Sequence, residues 1–130
     1  MKAFRLLVAV LVVCLGASAQ EFEGTKEAAE RGDAESQDLL GKMYRDGESV
    51  SQDSAEALKW FLEAAEQGLA SAQANLGRMY LQGEGVSKNY DEAFKWYEKA
   101  AEQGDAHSQF MVGDMYIDGS AISVATFIMG

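Results

Sequence analysis

Few residues of this 130-residue sequence stand in a pattern that marks them as candidates for chemistry. His107 is its single histidine, and with Asp105 nearby it could be a metal ligand or a general base. A metal site needs three or four converging ligands and a catalytic histidine needs a nucleophile within reach, and the sequence marks neither. The segment Gly83-Glu84-Gly85 resembles part of a phosphate-binding loop but has no third glycine and no Lys-Ser/Thr pair. The sequence therefore predicts no catalytic residue, no metal site and no cofactor.

The charge of the chain narrows the class of partner. Eleven lysines and arginines oppose 21 aspartates and glutamates, so the net charge is −10. The acidic residues are spread along the chain without a marked pair, which is typical of solvated helix faces. A negative surface is repelled by phosphate backbones and anionic lipids. We therefore expect no nucleic-acid partner, and a protein partner that is cationic or bridged by a divalent ion.

A 36-residue repeat organises most of the chain. Residues 28–63 and 64–99 agree at 18 of 36 positions, and a partial third copy follows at 100–123. Residues 20–32 correspond to the closing half of a unit, which predicts one short helix at the N-terminal end of the array. A fixed period in this range is typical of a solenoid, in which each unit packs on its neighbours.

Each unit contains two predicted helices, which we call helix A and helix B. Helix A begins near Asp33 and Asp105, whose carboxylates can accept hydrogen bonds from the free N–H groups of the first turn. The middle copy has Leu69 there and loses that cap. Helix B begins at Asp53 or Asn89, and glycine follows the end of every helix.

A glycine recurs in the middle of helix A, at Gly41, Gly77 and Gly113. Glycine there costs about 1 kcal/mol relative to alanine, so its recurrence indicates that the neighbouring helix must come close. The recurring aromatic residues are predicted to fill the wider parts of the core; they are Tyr44, Tyr80, Tyr116, Trp60 and Trp96.

The first 19 residues differ from the rest. Lys2 and Arg5 precede an unbroken apolar run over residues 6–15, and residues 17–19 read Ala-Ser-Ala. This pattern is typical of a secretory signal peptide, and the run is short for a membrane span. We expect cleavage after Ala19, a mature chain from residue 20, and no stable membrane insertion afterwards.

Removal of this segment would take the net charge from −10 to −12 and would remove Cys14, the single cysteine. Without disulfides, the exported protein must be held together by packing alone. Cys14 leaves a lipoprotein open as an alternative, although Val13 replaces the small residue that usually precedes a lipidated cysteine.

The C-terminal end departs from the repeat. Ile122 and Ser123 still match Val86 and Ser87, but an apolar tail at 124–130 replaces helix B. A truncated or frame-shifted terminus is one hypothesis. The alternative is that the tail folds back or docks on another chain, as in a homodimer. Because repeat arrays usually need about three units for stability, folding on a partner is a further possibility.

Residues 72–86 read Ala-Gln-x-x-Leu-Gly-x-Met-Tyr-x-x-Gly-x-Gly-Val, followed by Ala93-x-x-Trp96 and by Ala-Ala-Glu-Gln-Gly at 100–104. This pattern resembles the Sel1-like repeat, a slightly longer relative of the tetratricopeptide repeat, over nearly all of residues 28–123. Ser49 and Ala121 depart from it in place of the loop glycine Gly85. The resemblance implies an all-α, right-handed superhelical solenoid of antiparallel helix pairs, with the A helices lining a concave surface. It also implies an adaptor or scaffold in the bacterial envelope, periplasmic or secreted, without general catalytic residues.

Positions that keep the fold repeat, whereas positions that serve a partner can differ between units. On helix A the differing positions are three or four residues apart, which places them on one face. We hypothesise a concave groove in which two basic residues make charged contacts and the others contact a peptide or helix. The alternative is that they are ordinary surface residues. The predicted partner-binding residues are Lys42, Asn75, Arg78, Leu81, Phe110 and Met111.

A second function class stays open, because some cysteine-rich relatives have been regarded as β-lactam-binding or β-lactam-hydrolysing proteins. Those relatives rely on a disulfide in each repeat, and serine β-lactamases need a Ser-x-x-Lys motif. The chain after residue 19 has neither a cysteine nor that motif.

We therefore predict that the purified protein does not hydrolyse nitrocefin. The absorbance change on ring opening measures this directly. Steady turnover that survives purification would contradict a purely adaptor role.

Overall fold

The computed structural model describes residues 18–119. The body of the predicted signal peptide and the tail at 124–130, with its proposed docking on another chain, lie outside these residues. The described part is all-α, as predicted, and contains no strand. Its helices are α1 (18–30), α2 (Ala34–Asp46), α3 (Ser54–Glu66), α4 (Ala70–Gln82), α5 (Tyr90–Glu102) and α6 (Ala106–Ile117).

Helices α2, α4 and α6 are the A helices, and α1, α3 and α5 are the B helices. Consecutive helices from α2 to α6 pack on one another. Three clusters of buried side chains follow one another along the array. Ala29 of α1 packs with Leu40 of α2, Phe61 of α3 with Leu76 of α4, and Tyr97 with the last of the A helices. The core is therefore a continuous row between A and B helices, as a solenoid requires.

The predicted helix starts are confirmed. The carboxylates of Asp33 and Asp105 accept from the N–H groups three residues on, at 2.9 and 2.8 Å. Asp53 and Asn89 cap α3 and α5 in the same way. Leu69 leaves α4 without a side-chain cap. These hydrogen bonds fix where each helix begins, because each satisfies an N–H group of the first turn that has no partner within the helix.

The connection from helix A to helix B repeats in backbone geometry. Gly47 and Gly83 end α2 and α4 in the left-handed conformation, with φ of 72° and 73°. Gly85 also has a positive φ of 68°, and its place in the first unit is taken by Ser49 with φ 63°. A serine held there costs about 1–2 kcal/mol. At Gly85 a Cβ would lie 2.6 Å from the Ser54 carbonyl oxygen, so this loop rests on the start of α3.

The glycines in the middle of two A helices leave space that aromatic rings of the B helices occupy. A Cβ at Gly41 would lie 2.7 Å from the ring of Phe61, and one at Gly77 would lie 2.9 Å from the ring of Tyr97. The prediction of close approach is confirmed at these two sites, and the approaching group is a ring from helix B. At Gly113 no described atom lies within 4 Å of the Cβ position.

The prediction that the tryptophans fill the core is only partly right. Phe61 and Tyr97, each one residue after a tryptophan, are fully buried and are among the largest such side chains. Trp60 and Trp96 are half-buried at the margin of the core. The Lys99 ammonium lies 4.6 Å from the centre of the Trp96 ring.

A ladder of glutamines connects each A helix to the B helices on both sides. The Nε2 groups of Gln37 and Gln73, 2 % and 4 % exposed, donate to the carbonyl oxygens of Ala29 and Ala65. Gln67 and Gln103, just past the ends of α3 and α5, donate in turn to the Oε1 atoms of those two glutamines, both at 2.8 Å. In the third unit Gln109 donates to Ala101, and no described residue donates to it.

We predict opposite effects for the same substitution at the three helical glycines. Gly41→Ala and Gly77→Ala force a Cβ into an aromatic ring, and overpacking of about 1–3 kcal/mol outweighs the gain of about 1 kcal/mol in helix propensity. Gly113→Ala meets no described side chain and should raise the free energy of unfolding by about 1 kcal/mol. Urea denaturation followed by circular dichroism measures all three. Equal stabilisation in the three variants would contradict the close contacts of the rings with Gly41 and Gly77.

Candidate functional site

The seam between the A helices α2 and α4 is polar and internally bonded. Asp38 of α2 is only 4 % exposed. Its carboxylate accepts hydrogen bonds from Lys42 Nζ at 2.6 Å, Ser71 Oγ at 2.9 Å and Asn75 Nδ2 at 3.0 Å. The charge of this buried carboxylate is thus met by one cation and two neutral donors, two of which come from the neighbouring helix.

Arg45 extends this seam by one helical turn. Its Nη1 donates to Asn75 Oδ1 at 3.1 Å, and its Nε and Nη2 donate to the two carboxylate oxygens of Asp46 at 2.7 and 2.9 Å. The hydrogen bond to Arg45 lowers the pKa of Asp46, and the same bond raises the pKa of Arg45. The guanidinium also lies 5.9 Å from the centre of the Phe61 ring. Arg45 is therefore engaged within the protein.

The next seam, between α4 and α6, has different chemistry. Ala74 stands where the first seam has Asp38, and Leu81 where it has Arg45. Leu81 and Met111 both pack against the buried cluster that contains Tyr97. The residues that differ between units therefore differ as a set: those of the first seam are polar, and their counterparts in the second seam are apolar. Packing between neighbouring units accounts for much of the variation.

A polar cleft of about 480 Å³ lies where the first A–B loop meets the second unit. Arg78 is its available cation, since it makes no ion pair within the described residues. The Arg78 Nε is buried and has no hydrogen-bond partner. The two acidic residues of the cleft make it mixed in charge. The lining residues are Arg45, Asp46, Gln52, Ser54, Arg78 and Glu84.

A second unpaired polar atom belongs to α5. The hydroxyl group of Tyr97 is buried without a hydrogen-bond partner. Burial raises the pKa of Tyr97 to about 12, and the positive charge of Arg78 partly opposes this shift. At the corresponding position the first unit has Phe61, which needs no partner.

The structure does not bring the six predicted partner-binding residues together as one free surface. Lys42 and Asn75 are bonded within the first seam, and Leu81 and Met111 are half-buried against the core. Arg78 stands at the cleft and Phe110 is 68 % exposed on α6, so these two are the most available. A binding role for all six stays a prediction.

Sequence reasoning missed the other residues of the cleft. Arg45 occupies a position of helix A that differs between units, and Asp46, Gln52, Ser54 and Glu84 lie in loops and at helix ends. The cleft forms because the loop of one unit meets the next unit, and no spacing within a single unit reveals that contact.

The described residues contain no group of three or more side chains placed to hold a metal ion. His107 is exposed and meets the Tyr97 ring edge-on, with 6.2 Å between ring centres. Within residues 18–119 no helix has both the length and the apolar character needed to cross a membrane.

The profile of the family described as Sel1 repeat matches residues 34–69, 70–105 and 106–124. The chain belongs to the Sel1 repeat family. The profile begins each unit at helix A, six residues after our boundaries at 28, 64 and 100. Both divisions have the same 36-residue period.

Solved structures of Sel1 repeat proteins share this fold. The protective antigen c5321 of uropathogenic Escherichia coli is 46% identical over 78% of this chain and 22% of its own, with a TM-score of 0.77. A Sel1 repeat protein of Oxalobacter formigenes is 39% identical over 78% of this chain and 42% of its own, with a TM-score of 0.75. Cysteine-rich protein B of Helicobacter pylori is 27% identical over 69% and 68%, with a TM-score of 0.66. This chain thus spans less than half of the first two relatives. No curated protein matches it.

We predict that Asp38→Ala lowers the free energy of unfolding by about 1–3 kcal/mol, because it leaves donors of two helices without their acceptor. Thermal denaturation followed by circular dichroism measures the loss. Glu23→Ala, at an exposed position in α1, is the matched control and should change stability by less than about 0.5 kcal/mol. Equal effects of the two substitutions would show that the seam does not stabilise the array.

We predict that Tyr97→Phe stabilises the protein near neutral pH by about 1 kcal/mol, because it removes a buried hydroxyl that lacks a partner. The raised pKa adds an alkaline effect: the unfolded tyrosine ionises near pH 10 and the folded one near 12, so its contribution to stability is lost as pH rises between these values. Urea denaturation from pH 8 to 11 should show a shallower alkaline loss in this variant. The same change at exposed Tyr90 is the control, and matching profiles for both would refute the assignment.

Proposed function

We propose that this chain is an exported protein-interaction module that binds a segment of another protein on the surface of its A helices. Sel1 repeat proteins are generally protein-interaction modules, which supports the class of function. The finer proposal places the contact at the cleft beside Arg78 and continues it along α6 to Phe110. No enzymatic activity is part of it.

The observation that carries the proposal is the unpaired Nε of Arg78. This atom is removed from water and has no partner within the described residues. A buried donor of this kind costs about 1–3 kcal/mol or more when charged. A carboxylate that a partner places against the same guanidinium group would make a charge-assisted bond to it. Arg45, the other arginine of the cleft, is already held by Asp46 and Asn75.

The partner segment also has to suit the negative charges around Arg78. Glu84 lines the same cleft, makes no ion pair within residues 18–119, and offers a site for a lysine or arginine. The net charge of −10 favours a basic partner over long range. A basic segment that carries one carboxylate for Arg78 and an apolar side chain for Phe110 meets these requirements.

Export to the periplasm or beyond is part of the proposal. It is supported by the basic and apolar pattern of the first 19 residues. An envelope location also agrees with the description of c5321 as a protective antigen. Expression in a bacterium followed by intact-mass measurement of the periplasmic fraction tests this part, with a chain that begins at residue 20 expected.

Affinity capture from bacterial envelope extract tests the binding site. The native protein should retain a specific protein that a double variant, Arg78→Glu with Phe110→Ala, does not. Arg31→Glu makes the same charge change at an exposed position just after α1 and is the matched control that should retain the partner. Circular dichroism must be unchanged in all three. Equal retention by the native protein and the double variant would place binding elsewhere.

A further inference from the structure

The described residues that line the polar cleft beside Arg78 include two positive and two negative side chains. Arg45 and Asp46 lie at the end of α2, whereas Arg78 of α4 and Glu84 of the following loop belong to the second unit. The charges of the two arginines and the two carboxylates cancel. The volume of about 480 Å³ lies within the range of about 300–1,000 Å³ that is usual for small-molecule sites. The cleft is therefore large enough to hold a small polar molecule.

The positive and negative groups of the cleft alternate. Arg45 is bonded to Asp46 at 2.7 and 2.9 Å. The hydrogen bond from Arg45 lowers the pKa of Asp46, and the positive charge of Arg78 lowers it further. The hydrogen bond to Asp46 raises the pKa of Arg45, and the negative charge of Glu84 adds to this effect. Each member of the bonded pair thus lies within electrostatic reach of one opposite charge from the second unit.

The two charges from the second unit are the ones available to a ligand. Neither Arg78 nor Glu84 makes an ion pair within residues 18–119. A guanidinium group makes charge-assisted hydrogen bonds to a carboxylate, and a carboxylate makes them to an ammonium group. The cleft therefore offers one site for an anionic group and one for a cationic group.

The walls of the cleft are held in place by contacts that do not involve a ligand. Gln52 Nε2 donates to the carbonyl oxygen of Arg45 at 2.8 Å, which joins the start of the second wall segment to the end of α2. Gly85, next to Glu84, lies so close to α3 that a Cβ there would be 2.6 Å from the carbonyl oxygen of Ser54. A site that is already in place loses less entropy when a ligand binds.

The repeat fold does not require this set of charges. One unit further along the chain, Leu81 and Gln82 stand at the places of Arg45 and Asp46, and Asp114 stands at the place of Arg78. Helices α4, α5 and α6 nevertheless pack as the earlier helices do. The alternating charges are therefore a property of this one cleft and not of the family fold.

The charges of the cleft select among classes of ligand. An inorganic anion would be repelled by Asp46 and Glu84, and a metal ion would be repelled by Arg45 and Arg78. We propose that the cleft binds a small zwitterion, a free amino acid or a dipeptide, with its carboxylate on Arg78 and its ammonium group on Glu84. Such binding requires neither export nor a protein partner, so it goes beyond the function proposed above and can hold or fail separately from it.

Titration of the ¹⁵N-labelled full chain with L-alanine and with L-alanyl-L-alanine tests the ligand class. We expect saturable shifts with at least one of them, with a Kd of about 1 mM or tighter. The stronger ligand shows which separation of ammonium and carboxylate fits the cleft. Its N-acetylated form lacks the ammonium group and its amidated form lacks the carboxylate, so each should bind at least about tenfold more weakly.

Substitutions in the protein locate the site. Arg78→Gln and Glu84→Gln should each weaken binding at least about tenfold. Glu48→Gln, at the corresponding position of the first loop, and Arg31→Gln are exposed controls outside the cleft that should change the affinity by less than about twofold. The amide of Gly85 should be among those that shift, and spectra without ligand verify folding. Absence of saturable binding, equal binding of the acetylated or amidated form, or unchanged binding by the two cleft variants would overturn the proposal.

Discussion

The contact between a helical glycine and the aromatic ring of the next helix sets the spacing of this solenoid. At Gly41 and Gly77 the ring occupies the volume that a Cβ would fill, so helix A and helix B approach more closely than other residues allow. Because the ring comes from a fixed position of helix B, the contact also fixes the register of the pair. Gln37, one helical turn before Gly41, then lies beside the end of helix α1 and can bond to it. The glutamine hydrogen bonds between units therefore depend on the contact between the glycine and the ring.

Local features of the fold could be predicted from the sequence because they depend on residues three or four positions apart. The caps at Asp33, Asp53 and Asn89 are of this kind, since each satisfies N–H groups within its own first turn. The glycines in the A helices predict a close approach of the next helix, but the aromatic residues predicted for the core were the wrong ones. Trp60 and Trp96 are identical between units and attract attention, whereas Phe61 and Tyr97 differ. Packing in the core requires only an aromatic ring, which either phenylalanine or tyrosine supplies. The recurrence of an identical residue therefore did not identify the buried positions.

The surface could be predicted less well, for a physical reason that the first seam illustrates. Asp38 and Asn75 are 37 residues apart and are joined by a hydrogen bond of 3.0 Å. When either position is considered alone, its change of residue type between units suggests that the fold does not constrain it. In the folded array such positions face one another across a seam, where a carboxylate on one side requires donors on the other. Arg78 is one residue that this pairing does not use, since its Nε has no hydrogen-bond partner.

The glutamine ladder implies that cooperativity along the array is a nearest-neighbour property. Each link joins a glutamine only to the helices immediately before and after it, so opening at one point releases bonds on two sides and no others. In a linear system of this kind, local unfolding starts where links are fewest. Gln37 and Gln73 each connect two B helices, whereas Gln109 connects one within the described residues. Amide protons of α6 should accordingly exchange with solvent faster than those of α2 and α4.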